Sequence, residues 1–68
     1  MEDLVTDIRN LAEQGDADAQ FKLGFMYASG LAIPKDEQEA IRWFSKSAEQ
    51  GNAGAEFQLK LLTGTQKP

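Results

Sequence analysis

The 68-residue chain contains no cysteine and no histidine. Disulfides, thiolate nucleophiles, imidazole bases and zinc sites built on nitrogen or sulfur ligands are excluded with them. Basic charge is also scarce: seven Lys and Arg stand against eleven Asp and Glu, for a net charge of −4. With no basic cluster, the main driving force for binding a phosphate backbone is missing, and nucleic acid is not an expected partner. Long apolar runs are absent too, so nothing is long enough to cross a bilayer. Met1-Glu2-Asp3 is the reverse of the basic start of a secretory signal. No membrane association and a cytoplasmic location are the expectations.

What is present is the composition of a folded chain. Hydrophobic residues make up 41% of it, ordinary for a globular domain and too many for a disordered one. Its length allows a single domain, residues 1–68, near the size at which a core is barely sufficient.

The organising feature is an internal repeat. Ala12-Glu13-Gln14-Gly15 returns as Ala48-Glu49-Gln50-Gly51, 36 positions later (48 − 12). The echo continues with identities at Ala17/Ala53, Ala19/Ala55, Phe21/Phe57 and Leu23/Leu59. A period in this range is the mark of stacked helical units. Four helices are predicted. The first, 3–14, carries Leu4, Val5, Ile8, Leu11 and Ala12 on one stripe, with acidic residues at its positive end. Gly15 ends it in a left-handed conformation, and Asp16 caps the second, 17–29. Apolar residues on more than one face of the second helix predict packing on two sides. Gly24 inside it, unfavourable in a helix, predicts close approach of a neighbouring helix backbone. Gly30 to Lys35 is the one real loop, in which Pro34 keeps Ile33 out of helical geometry.

Asp36 and Glu39 form a capping-box pair opening the third helix, 36–50. Its stripe is Ala40, Ile41, Phe44, Ser47 and Ala48, broadened by Trp43. Leu23, Tyr27, Ala40, Ile41 and Phe44 are the expected core. Gly51 and Asn52 repeat the cap and restart, a fourth helix covers 53–63, and 64–68 reads as a frayed tail.

These letters resemble the Sel1-like repeat. Ala12, Gln14, Gly15, Ala19, Gln20, Leu23, Gly24, Met26 and Tyr27 match its first helix and entry. Gly30, Pro34 and Asp36 match its loop and cap, and Ala40, Trp43, Phe44, Lys46, Ala48, Gln50 and Gly51 its second helix. The resemblance implies an all-α fold: a short α-solenoid of about four antiparallel helices, one full repeat flanked by two half repeats. Ala32 in place of a frequent loop glycine, and Ser47 in place of an alanine, read as minor departures. Lys60, standing where the first copy has Gly24, reads as part of a C-terminal cap.

No catalytic constellation emerges. Asp16 with Asp18, and Glu37 with Glu39, could in principle serve carboxylate-based hydrolysis, but acidic residues at helix N-termini are expected for electrostatic reasons alone. No metal and no cofactor is expected. Trp43 and Phe44, at helical spacing beside Ala40 and Ala48, read as core. The resemblance implies a concave face lined by the inner helices. That face would carry Asp18, Phe21, Lys22, Phe25 and Ser29, with Gly54, Phe57, Gln58 and Leu61 at the matching positions of the last helix. Recurrence in both copies favours packing for Phe21 and Phe57, whereas Phe25 and Leu61 differ and suit specificity.

The function expected is a non-enzymatic adaptor binding a protein or peptide. The alternative is a small acidic inhibitor or decoy that blocks a larger machine, from a mobile genetic element, motivated by charge and size alone. A third reading is self-association. Stacked units bury their faces against neighbours, and Phe57, Leu59, Leu61 and Leu62 span more than one side of the last helix. A homodimer joining two C-terminal helices would cover them.

Overall fold

The structure, a computed structural model, describes residues 4–64. Those residues form four helices and no strand: α1 (Leu4–Glu13), α2 (Ala17–Ser29), α3 (Glu37–Glu49) and α4 (Ala53–Thr63). Local chemistry sets each boundary. Asp16 and Asn52, one repeat apart, accept from the backbone N–H of Ala19 (3.0 Å) and Ala55 (2.9 Å). Each thereby satisfies a donor that the first helical turn leaves unpaired. The preceding glycines, Gly15 and Gly51, take φ values of 104° and 92°, which a residue with a Cβ adopts only under strain. Thus α1 stops at Glu13 with Gln14 already in the turn, one residue short of the expected 3–14, and position 3 lies outside the described residues. The third helix is likewise one residue shorter at each end than 36–50, because Asp36 and Gln50 serve as its caps. Gly64 closes α4 by donating to Lys60 O at 2.7 Å, and the rest of the expected tail, 65–68, lies outside the described residues.

The capping box at Asp36 is only half formed. Asp36 Oδ1 accepts from Glu39 N at 3.2 Å, but Asp36 N donates to Tyr27 O at 2.9 Å. That bond ties the loop to α2 and leaves Glu39 free to pair with Arg42 at 3.7 Å.

Each helix packs on its neighbours in chain order, α1 on α2, α2 on α3 and α3 on α4, the quasi-one-dimensional pattern of a short α-solenoid. One core cluster joins Ala12, Ala19, Leu23 and Trp43; the other joins Ala40, Phe44 and Ala55, with Phe21, Tyr27, Leu59 and Leu62 packed on it. Leu23, Ala40 and Phe44 are fully buried as the periodicity predicts, whereas Tyr27 and Ile41 are only half-buried. The reason for Gly24 differs from the expected one. A Cβ there would sit 2.8 Å from Phe44 Cδ1 and 3.0 Å from Cε1, so a ring, and not a helix backbone, requires the glycine.

Both departures judged minor from sequence have structural content. Ser47 is fully buried and donates from Oγ to Ala17 O at 2.7 Å, joining α3 to the start of α2. Ala32 has φ 68°, the single non-glycine residue with positive φ among the described residues, and an alanine there carries left-handed strain.

The repeated glutamine has a similar explanation. Gln50 Nε2 donates to Gly15 O (2.9 Å) and to Gln20 Oε1 (3.0 Å), and Gln20 Nε2 donates to Ala12 O (3.0 Å). Gln50 therefore clasps the second junction to the first.

Candidate functional site

The sequence places the candidate face on α2 and α4, and the structure joins those helices through one ring. Phe21 lies 5.7 Å from Phe44, centroid to centroid, at an interplanar angle of 49°. Its Cε1 and Cζ lean on α4, 3.3 Å from where a Cβ of Gly54 would be. Phe21 is thus half-buried and shared between helices. Phe57, its repeat counterpart, is 60% exposed, and Leu61 is 48% exposed. Gln58 beside them is half-buried. Asp18 is exposed in the first turn of α2, and Ser29, also exposed, spends its hydroxyl on Phe25 O at 2.8 Å.

Three of the candidate residues come together in a groove of about 420 Å³. Phe21, Lys22 and Phe25 of α2 form one wall with Met26, Leu4, Val5 and Ile8 of α1 form the other, and Leu31 and Ala32 of the loop close one end. The wall is apolar throughout, Lys22 contributing its stem. Leu4, Phe25 and Leu31 are all exposed. A contiguous apolar patch of this kind marks an interaction site more often than scattered surface residues do. Phe57, Gln58 and Leu61 do not belong to this groove, so the expected face is divided between two places.

Sequence reasoning missed the α1 wall. Leu4, Val5 and Ile8 stand on an amphipathic stripe, which marks them for burial without showing whether a neighbour is there to bury them. The available signal was the repeat itself, which pairs Leu4, Val5 and Ile8 with Ala40, Ile41 and Phe44 (each 36 positions on).

A second, polar hollow lies at the α1–α2 junction, lined by Gln14, Gln20, Trp43 and Lys46 among others. Arg42 stacks over the Trp43 ring at 4.7 Å and Lys46 lies 6.0 Å from its centroid. The buried Trp43 Nε1–H has no protein acceptor. Trp43 is 3% exposed, so the cations cover a core side chain.

Among the described residues no group of acidic side chains is arranged to hold a metal ion, and no helix is long and apolar enough to cross a membrane.

Comparison with known proteins gives one family. The Sel1 repeat matches residues 17–52, from the first residue of α2 to the cap of α4. A putative sel1-like repeat-containing protein of Acanthamoeba polyphaga mimivirus is 44% identical over 46 residues, covering 68% of this chain and 8% of that protein. A chitin synthase regulator of Malassezia restricta is 36% identical over 61 residues, covering 88% of this chain and 4% of its own length. DAP3-binding cell death enhancer 1 of Rattus norvegicus is 37% identical over 51 residues, 75% of this chain and 10% of that protein. The chain therefore spans only a small part of the relatives it matches. No solved structure matches it.

Proposed function

The chain belongs to the Sel1 repeat family, and from that premise we propose that it is a non-catalytic adaptor that holds an apolar segment of a protein partner. Sel1 repeats are protein-interaction modules, which supplies the class of function. The observation that carries the reading is the groove between α1 and α2, apolar throughout and flanked by exposed Phe25, Leu31 and Leu4. Such a groove suits the apolar face of a helix. Among the relatives, one is by name a DAP3-binding protein and another a regulator of chitin synthase; a role exerted on another protein is what this chain would share with them.

The test is paired capture. Wild-type protein and a Leu4→Glu/Phe25→Glu variant, both shown to be equally helical, are used as bait in parallel and over a range of salt. A partner held in the groove is retained as salt rises, because apolar contact is not screened, and is lost from the variant. Capture that is equal in both, or that disappears with salt alone, points to charge and to the decoy reading. A second reading, self-association through α4, is favoured by the exposure of Phe57 and Leu61.

A further inference from the structure

The internal repeat makes half of the molecule a template for the other half. Shifting by 36 positions carries Leu4 and Ile8, the α1 wall of the groove, onto Ala40 and Phe44 of α3. In the second position these outer-helix residues are covered. Ala40 and Phe44 are 0% exposed, whereas Leu4 is 71% exposed. The cover is α2, an inner helix, which sets Phe21 and Tyr27 on that cluster and Gly24 against the Phe44 ring. Among the described residues nothing plays this part for α1. The open groove thus has the shape of a seat for one more inner helix.

The chain contains a helix of that kind with its key residue uncovered. α4 repeats the α2 pattern, and Phe57, the counterpart of Phe21, stands 60% exposed. We propose that α4 of one copy occupies the α1–α2 groove of a second copy, joining chains head to tail. This rests on reading the groove as a protein seat and names its occupant.

One pair of side-chain sizes favours a second copy, and another is compensated in part. Within the chain, Gly24 meets Phe44, where only a glycine fits. In the joined pair the matching residues are Lys60 and Ile8, a larger residue against a smaller one, and the Lys60 stem takes the space that Ile8 leaves. Tyr27 packs on the cluster containing Ala40; the matching residues are Thr63 and Leu4, again with large and small exchanged. Volume is conserved across the Thr63–Leu4 pair although both identities change, as close packing demands. Lys60 with Ile8, by contrast, is bulkier than Gly24 with Phe44 and is accommodated only with the Lys60 ammonium turned out to solvent. Inner and outer helices also keep alternating, since α4 is inner and α1 of the next copy is outer.

One position fits less well. Phe21 leans on Gly54, and the residue matching Gly54 is Asp18, whose Cβ and carboxylate meet the incoming Phe57. Asp18→Gly is therefore expected to strengthen the junction.

A heterologous junction of this kind does not stop at two copies unless it closes into a ring. Two single substitutions at exposed positions isolate its halves: Leu4→Glu spoils the seat and Phe57→Glu spoils the inserted helix. Sedimentation velocity of the wild type should show a mean mass that keeps rising with concentration, steeper for Asp18→Gly. Each Glu variant alone, folded by circular dichroism, should be monomeric, and their equimolar mixture should form a one-to-one dimer, because one intact seat and one intact α4 remain. A symmetric dimer through two α4 helices gives the opposite: Leu4→Glu still dimerises and the mixture forms no new species. That result overturns the proposal, as does a wild type that stays monomeric at millimolar concentration. Neither outcome touches the groove as a seat for a different protein, which the capture experiment tests separately.

Discussion

Replacing Gly24 with alanine sets two opposed effects against each other at one atom. In a helix interior alanine is favoured over glycine by about 1 kcal/mol. At Gly24, however, the added Cβ would lie 2.8, 3.0 and 3.1 Å from Phe44 Cδ1, Cε1 and Cγ. The ring cannot move away freely, because Phe44 is 0% exposed and is boxed in by Phe21 with Ala40 and Ala55. Overpacking of a tight core costs about 1–3 kcal/mol. The strain therefore equals or exceeds the propensity gain, and the net effect is a loss of up to about 2 kcal/mol. For a domain of this size each kcal/mol lowers Tm by roughly 4–8 °C.

The sharper assay is a double-mutant cycle followed by urea unfolding. In a Phe44→Leu background the obstructing ring is gone, and Gly24→Ala should stabilise by up to about 1 kcal/mol. The two positions should thus couple by about 1–3 kcal/mol. If Gly24→Ala has the same effect in both backgrounds, the close approach to Phe44 is not what requires the glycine, and the reasoning fails.

Other substitutions probe features of the same repeat. Ala32→Gly relieves the strain of φ 68° and should raise stability by about 0.5–1 kcal/mol, less than the full left-handed penalty because glycine also loosens the unfolded chain; an unchanged urea midpoint would count against it. Gln20→Ala removes the bonds to Ala12 O and Gln50 while Ala12 O keeps the Gly15 N–H, so a loss of about 0.5–1.5 kcal/mol per bond is expected; a melt within error of the parent would show that the clasp contributes nothing. Ser47→Ala breaks the Ala17 O bond and should cost about 0.5–1.5 kcal/mol, read by thermal unfolding; a gain in stability would show that the serine is only tolerated there.

The helices were legible because their signals are local. Asp16 and Asn52 cap, Gly15 and Gly51 turn, and the 36-residue echo duplicates the evidence for each. Burial was less legible, since periodicity tells which face is apolar but not whether anything covers it. Phe21 and Phe57 are the same residue at the same place in the repeat, yet one is shared between helices and the other is exposed. Gly24 was recognisable as a close contact, but the atom it accommodates belongs to a side chain 20 positions on (44 − 24), and only packing identifies it. Ala32 was harder still: an alanine carries no sequence mark of a left-handed conformation. The groove combines α1, α2 and a loop, so no single stretch displays it. Lys22, Phe21 and Phe25 are candidates from the family's inner-helix face, while Leu4, Val5 and Ile8 stand in the sequence only as an apolar stripe of the first helix.

The measurement closest to the central claim follows backbone amide resonances as the concentration of wild-type protein is raised. If the α1–α2 groove is a seat for α4, residues around Leu4, Ile8 and Asp18 shift together with those around Phe57, Lys60 and Thr63, on one binding curve. Shifts confined to α4 would indicate a two-fold contact instead, and a spectrum independent of concentration would contradict self-recognition through the groove altogether.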